Sequence, residues 1–150
     1  MNPIDEVVGA ERLTEIFGAW PSFHDAEILE VRFARLGQNE HEGPALEIVF
    51  HLFKGERDDS RASGVRWYDH TQATFRFSNV CELALEGFNS QNAILDLLIE
   101  KTGPHPLAPG LPAIRVTLQP AYGLGGSFVC SAIEIAELQK GCPPDSVYQS

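Results

Sequence analysis

A chain of 150 residues, 43% hydrophobic and 21% charged, has the makeup of an ordinary soluble domain. It is long enough for one proper core and too short for two. Eleven basic against twenty-one acidic residues give a net charge of −10, a field that repels nucleic acid and attracts basic partners. No apolar run approaches the roughly 20 residues that span a bilayer.

MNPIDEVVGAERL has no basic segment leading into an apolar block, so a secretory leader is not expected, and a cytoplasmic location is. Ile4, Val7, Val8, Leu13, Ile16 and Phe17 fall at largely helical spacing over residues 4–19. The pattern is interrupted at Gly9 and ends near Gly18, and Pro21 forbids its continuation. The stretch WPSFHDAEI (20–28) then turns the chain from period 3.6 to period two. His24, Asp25 and Glu27 are residue types used in catalysis and metal binding, but in a strand residues 25 and 27 point one way and 24 the other. Ser22 and Asp25 can instead accept backbone N–H bonds where the helix ends, with Trp20 and Phe23 anchoring the corner in the core.

Leu29, Val31 and Phe33 alternate on one face of a first strand. Residues 46–53 alternate apolar on both faces and predict a central strand. Residues 54–69, KGERDDSRASGVRWYD, read as the longest charged loop. Arg57, Asp58, Asp59, Arg61 and Arg66 suit a solvated loop, and with Trp67 and Tyr68 at its end the segment has the aromatic-plus-arginine makeup enriched at protein interfaces. Residues 73–78 and 81–86 alternate again, as one bent strand or a bulged pair. LEGFNSQN (85–92) offers Asn89 and Asn92 for a polar ligand or for a turn whose amides bond backbone.

AILDLLIEK (93–101) fits a helix or a strand. GPHPLAPGLPA (103–113) reads as a loop barred from any ladder by its prolines. Two more alternating strands follow, joined at YGLGG by a run of glycines. A phosphate-cradling loop would need a lysine after them, and none is there; a hairpin turn with positive φ is the simpler expectation. The pattern predicts an α+β fold: an N-terminal helix followed by six or seven mostly antiparallel strands, in one sheet or a partly closed sandwich. A single domain is expected, with its core at about 4–138 and a loose tail at 139–150. Cys81, Cys130 and Cys142 lack metal-ligand spacing, the histidines are scattered, and no nucleophile elbow exists. The expectation is therefore free thiols, no metal, no cofactor and no catalytic residue.

WPSFHDAEI, LEGFNSQN and YGLGGSFVC, in that order in a helix-then-strands chain, resemble the immunity protein 50 family of bacterial polymorphic toxin systems. The resemblance covers roughly residues 13–136. It implies that residues 93–101 form a strand, and that the protein is non-enzymatic and blocks a cognate toxin by protein contact. It also places His24, Asp25, Asn89 and Asn92 at recurrent polar positions. Thirteen acids against five bases in residues 1–60 suit a toxin with a basic surface, with Glu40, Glu42, Asp58 and Asp59 as rim acids. The alternative reading is a small-ligand-binding protein or small enzyme using the His24/Asp25 region. Its signature would be a deep pocket in which His24, Asp25 and Asn92 converge.

Overall fold

A computed structural model describes residues 3–37 and 42–149. Among these, nine strands form one open sheet in the order β1-β9-β4-β3-β2-β6-β7-β8-β5. The strands are β1 (Val7–Val8), β2 (Glu27–Ala34), β3 (Ala45–Arg57), β4 (Val65–Ser78), β5 (Cys81–Glu86), β6 (Ala93–Pro104), β7 (Pro112–Tyr122), β8 (Gly125–Cys130) and β9 (Ala132–Lys140); α1 (Ala10–Phe17) is the one α-helix. The fold is thus mostly β with one short helix, and nine strands replace the six or seven expected from the alternation.

Three local choices account for the difference, the last at Ser131, where the strand expected after YGLGG divides into β8, paired with β5 and β7, and β9, paired with β1 and β4. The expected helix over 4–19 is divided by Gly9, whose φ of 87° is the left-handed conformation that glycine adopts without steric cost. Upstream of it, Val7 and Val8 leave the helical path and pair in parallel with Ile133 and Glu134 of β9. Downstream, α1 lasts eight residues and stops at Gly18, whose N–H donates to the Thr14 carbonyl. The second choice is at Asn79, where φ is 54°. Instead of one bent strand, the chain turns a corner there. β4 pairs with β3 and β9, whereas β5 leaves to pair with β8 at the far edge.

Three further expectations are corrected. The charged segment 54–69 is mostly ladder: β3 and β4 continue through Lys54↔Tyr68, Gly55↔Trp67, Glu56↔Arg66 and Arg57↔Val65, which leaves only 58–64 as loop. Opposite charges facing across the ribbon allow this, with Arg66 Nε 2.6 Å from Glu56 Oε1 and Lys54 Nζ 3.1 Å from Asp69 Oδ2. The proline-rich loop contracts as well. Pro104 and Pro112 face each other at the ends of β6 and β7, where a missing N–H interrupts little. In β2 a register shift between Ile28 and Glu30 moves the inward face, so Ile28 is buried and Phe33 is 63% exposed.

β3 is central, as its two apolar faces predict, and Leu46, Ile48 and Phe50 are fully buried. The sheet curls until Phe77 on β4 meets Phe128 on β8 edge to face at 4.9 Å. These strands stand five places apart in the sheet, so the two halves bury a common core.

The seam between the halves is thin. β2 and β6 share the single register pair Glu27↔Ala93, supported by backbone bonds from Asp25 to Ile94, Ile94 to Ala26 and Ile28 to Asn92. No helix among the described residues is long and apolar enough to cross a membrane.

Candidate functional site

Asn92 closes the seam. Its side chain, 6% exposed, accepts through Oδ1 from the N–H groups of Asn89 and Leu124, both at 3.0 Å, and donates through Nδ2 to the Asn89 carbonyl at 2.8 Å and the Ile28 carbonyl at 3.5 Å. Asn89 Oδ1 in turn accepts from the Gln91 N–H at 2.8 Å, and its Nδ2 donates to the Gly87 carbonyl. Both amides are thus occupied by backbone. Gly123 sits against them with φ 79°; a Cβ there would lie 2.4 Å from Asn92 Oδ1. The three segments WPSFHDAEI, LEGFNSQN and YGLGGSFVC therefore meet at one joint.

On the other side of the corner, Ser22, His24 and Asp25 line an open-sided groove of about 710 Å³ with Phe53, Gly55, Glu56, Arg57, Asp59, Gly64, Val65 and Trp67. Three carboxylates against one guanidinium make its lining acidic. Ser22 does the local work expected of it, accepting from the His24 N–H at 3.2 Å. The His24 ring lies 3.3 Å from the Leu95 carbonyl and 3.6 Å from the Asp25 carboxylate.

Asp25 acts on the backbone differently from expectation. Its φ of 68° places it in the left-handed region, and its carboxylate makes no backbone hydrogen bond among the described residues. Asp and Asn tolerate this conformation, and β-branched residues do not. Asp25→Asn should leave stability within about 0.5 kcal/mol. Asp25→Val should lower it by about 1–2 kcal/mol. Chemical denaturation of the pair checks this, and equal losses would point to a bond made by the carboxylate.

The hairpin residues divide into two kinds. Asp58 is a turn residue: its carboxylate accepts from the Ser60 hydroxyl and N–H and from Arg61 Nε, and these contacts, the Ser60 hydroxyl foremost, hold it below the usual carboxylate range. Asp59 is 77% exposed and pairs only with Arg57 among the described residues. Trp67 lies half-buried over Gly55, with its ring 5.4 Å from Phe53 and 5.2 Å from Tyr148. Tyr68 is flanked by Arg66 at 4.6 Å and Lys54 at 5.8 Å. Asn89 and Asn92 line a separate cavity of about 350 Å³ with Glu27 and Ser146. Glu40 lies outside the described residues, and Glu42 is not among those lining the groove.

Residues 9–141 match the sequence profile of the family described as Immunity protein 50. The chain belongs to the immunity protein 50 family. Neither a curated protein nor a solved structure matches it. The three motif segments that signalled this family are those that meet at the Asn92 joint, so in this member they support the fold directly.

A group that sequence reading missed lies behind the groove floor. The Phe53 ring, which lines the groove, has its centroid 5.0 Å from that of His51 and 6.1 Å from that of His70. His51 is fully buried. Its Nδ1 lies 2.6 Å from Glu27 Oε1 and its Nε2 2.9 Å from His70 Nδ1.

Burial pushes the Glu27 carboxyl up, but hydrogen bonds from His51 and the Ser146 hydroxyl outweigh it and hold the group below its ordinary range. Burial, then the neighbouring His51, push the His70 imidazole down. Cys142 stands close by, its thiol pushed up mainly by burial. His51 and His70 are nineteen residues apart and on different strands. The one legible signal was a histidine inside a strand apolar on both faces.

Proposed function

We propose that this immunity protein 50 member is a non-enzymatic protein of the bacterial cytoplasm that neutralises a cognate toxin domain by direct contact. Its partner presents a basic surface. The observation that carries this reading is the open acidic groove, which joins the His24–Asp25 corner to the projecting β3–β4 ribbon. An open-sided groove with exposed carboxylates and a half-buried tryptophan suits a protein segment better than an enclosed small molecule. The small-ligand alternative required His24, Asp25 and Asn92 to share a pocket. Asn92 instead lies in the seam with its amide committed to backbone.

The test is co-expression with candidate toxin domains encoded beside the gene, followed by binding kinetics across salt. Protection of the cells is expected. Replacing Asp25 and Asp59 together by asparagine should slow association about three- to tenfold at 0.01 M salt. That difference should shrink as the Debye length contracts from about 30 Å to about 8 Å at 0.15 M. Trp67→Ala should act on the off-rate, because an aromatic anchor holds the complex after encounter. Failure to protect against any such toxin would overturn the immunity reading. Protection with a flat salt profile would remove the electrostatic part alone.

A further inference from the structure

His51 on β3, His70 on β4 and Cys142 just beyond β9 each offer one donor atom, and the three donors lie within 4.8 Å of one another. We propose that these three residues bind a single zinc ion, with a fourth position left open to water or another ligand. The site stands independently of toxin binding. His51 and His70 lie within the family match, and Cys142 lies one residue past it.

The donor set selects the metal class. Two imidazoles and a thiolate suit a borderline-soft ion such as Zn²⁺, whereas Mg²⁺ and Ca²⁺ require oxygen ligands. The surroundings are organised as around a metal-bound histidine. Glu27 accepts from His51 Nδ1, which fixes the ring and turns Nε2 towards His70 and the proposed ion, the arrangement of carboxylate behind histidine that supports many zinc sites. Ser146 holds the same Glu27 oxygen from the other side at 2.5 Å. One carboxylate and one thiolate balance the two charges of the ion, so the partly buried site carries no net charge when it is filled.

Proton accounting points the same way. If His51 donates Nδ1–H to Glu27 and is neutral, its Nε2 accepts from His70 Nδ1–H. His70 Nε2 is then a bare lone pair, and it is buried without a hydrogen-bond partner among the described residues. If His51 is doubly protonated, His70 Nε2 carries an unpaired hydrogen instead. Either arrangement leaves a buried polar atom unsatisfied, which costs stability. A metal ion held by His70 Nε2 removes the problem, whereas one held by Nδ1 leaves Nε2–H unpaired.

The two imidazoles need little change, and the Cys142 sulfur, which lies within 4.8 Å of their donor atoms, would stand about 3.6 Å from each nitrogen on a tetrahedral ion. With Zn–N near 2.0–2.1 Å, two nitrogens on a tetrahedral ion stand about 3.3 Å apart, against 2.9 Å between His51 Nε2 and His70 Nδ1. Replacing that hydrogen bond by the ion spreads the rings by a few tenths of an ångström. The consequence for the fold is a clamp. Residues 141–149 already rest Tyr148 on Phe53, with ring centroids 4.3 Å apart, and zinc would tie that segment to β3 and β4.

The experiment uses the full chain, without an affinity tag, stripped of metal by chelation and titrated with Co²⁺ and then Zn²⁺. One equivalent of Co²⁺ should give the near-ultraviolet band of a thiolate–cobalt bond together with the visible bands of a four-coordinate ion, and Zn²⁺ should displace both. Cys142→Ser should abolish the thiolate band. Glu27→Gln should keep the band and weaken zinc by about 10–100-fold. Cys81→Ser is the control, because Cys81 Sγ lies 3.7 Å from His105 Nε2 and forms the other cysteine–histidine pair; it should change nothing. Melts of each stripped variant show that it folds. Absence of stoichiometric binding to the folded parent chain would overturn the proposal, as would a thiolate band that survives Cys142→Ser or disappears with Cys81→Ser.

Discussion

Replacing Asn92 by alanine should lower the unfolding free energy by about 3–5 kcal/mol, out of proportion to the few atoms removed. Each buried polar group left without a partner costs about 1–3 kcal/mol, and Asn92 serves the N–H groups of Asn89 and Leu124 and the Asn89 carbonyl at 3.0 Å or less. These groups belong to separate stretches of chain, and solvent cannot reach all of them when the amide goes. The seam magnifies the effect, since β2 and β6 are joined by one register pair and a few backbone bonds. Asn89→Ala should cost less, because its side chain bonds within its own exposed turn. Urea denaturation of both variants is the measurement. If Asn92→Ala loses less than about 1 kcal/mol yet abolishes toxin binding, Asn92 is a contact residue and the joint must be held by other groups.

Phe23→Ala should cost about 3–5 kcal/mol, the usual loss for truncating a large core aromatic. Phe23 is 2% exposed, and its ring stands edge-on to Phe50 at 5.4 Å and Phe75 at 5.9 Å, beside Trp20 at 5.6 Å. Aromatic pairs in this geometry add to the area they bury, and no neighbouring chain segment can collapse into the space without dislodging β3 or β4. Trp20→Ala should cost less than Phe23→Ala, because Trp20 is only partly buried against the same cluster. Thermal melts rank the two. An equal or larger loss at Trp20 would mean that the corner is held chiefly by its outer ring.

The joint and the groove are back to back on one short stretch. Phe23, Ala26 and Ile28 face the core, while Ser22, His24 and Asp25 face the groove. The exposed side chains of the corner can therefore change without disturbing the ring cluster that positions it, as long as residue 25 tolerates its left-handed backbone. The Asp25→Asn comparison is useful for this reason: it removes a groove charge while keeping a residue type that tolerates φ 68°.

Much of the β architecture was legible because alternation reports burial directly. Leu46, Ile48 and Phe50 repeat at period two, with apolar residues between them, and the strand they form is central. The segments that carry the family resemblance were also legible as local patterns, since a proline after tryptophan restricts the backbone and paired glycines allow it positive φ wherever they occur. Strand count was less accessible. Val7–Val8 is too short to show a period, and it becomes a strand only because β9 offers an edge. The ribbon of residues 54–57 and 65–69 reads as loop because its run of charges hides the alternation, and only the register places opposite charges across the ladder.

What the sequence by itself determined was the alternating core, the corner at residues 20–26, the hairpin glycines and the acidic balance, all consequences of neighbours within a few residues. Only the tertiary structure decided that β5 leaves β4 for the far edge, that Asn92 spends its amide on a seam, and that His51, His70 and Cys142 come within reach of one another. Those outcomes depend on contacts between residues tens of positions apart, where the cost of closing the intervening chain is met by the whole sheet and leaves no mark on local spacing.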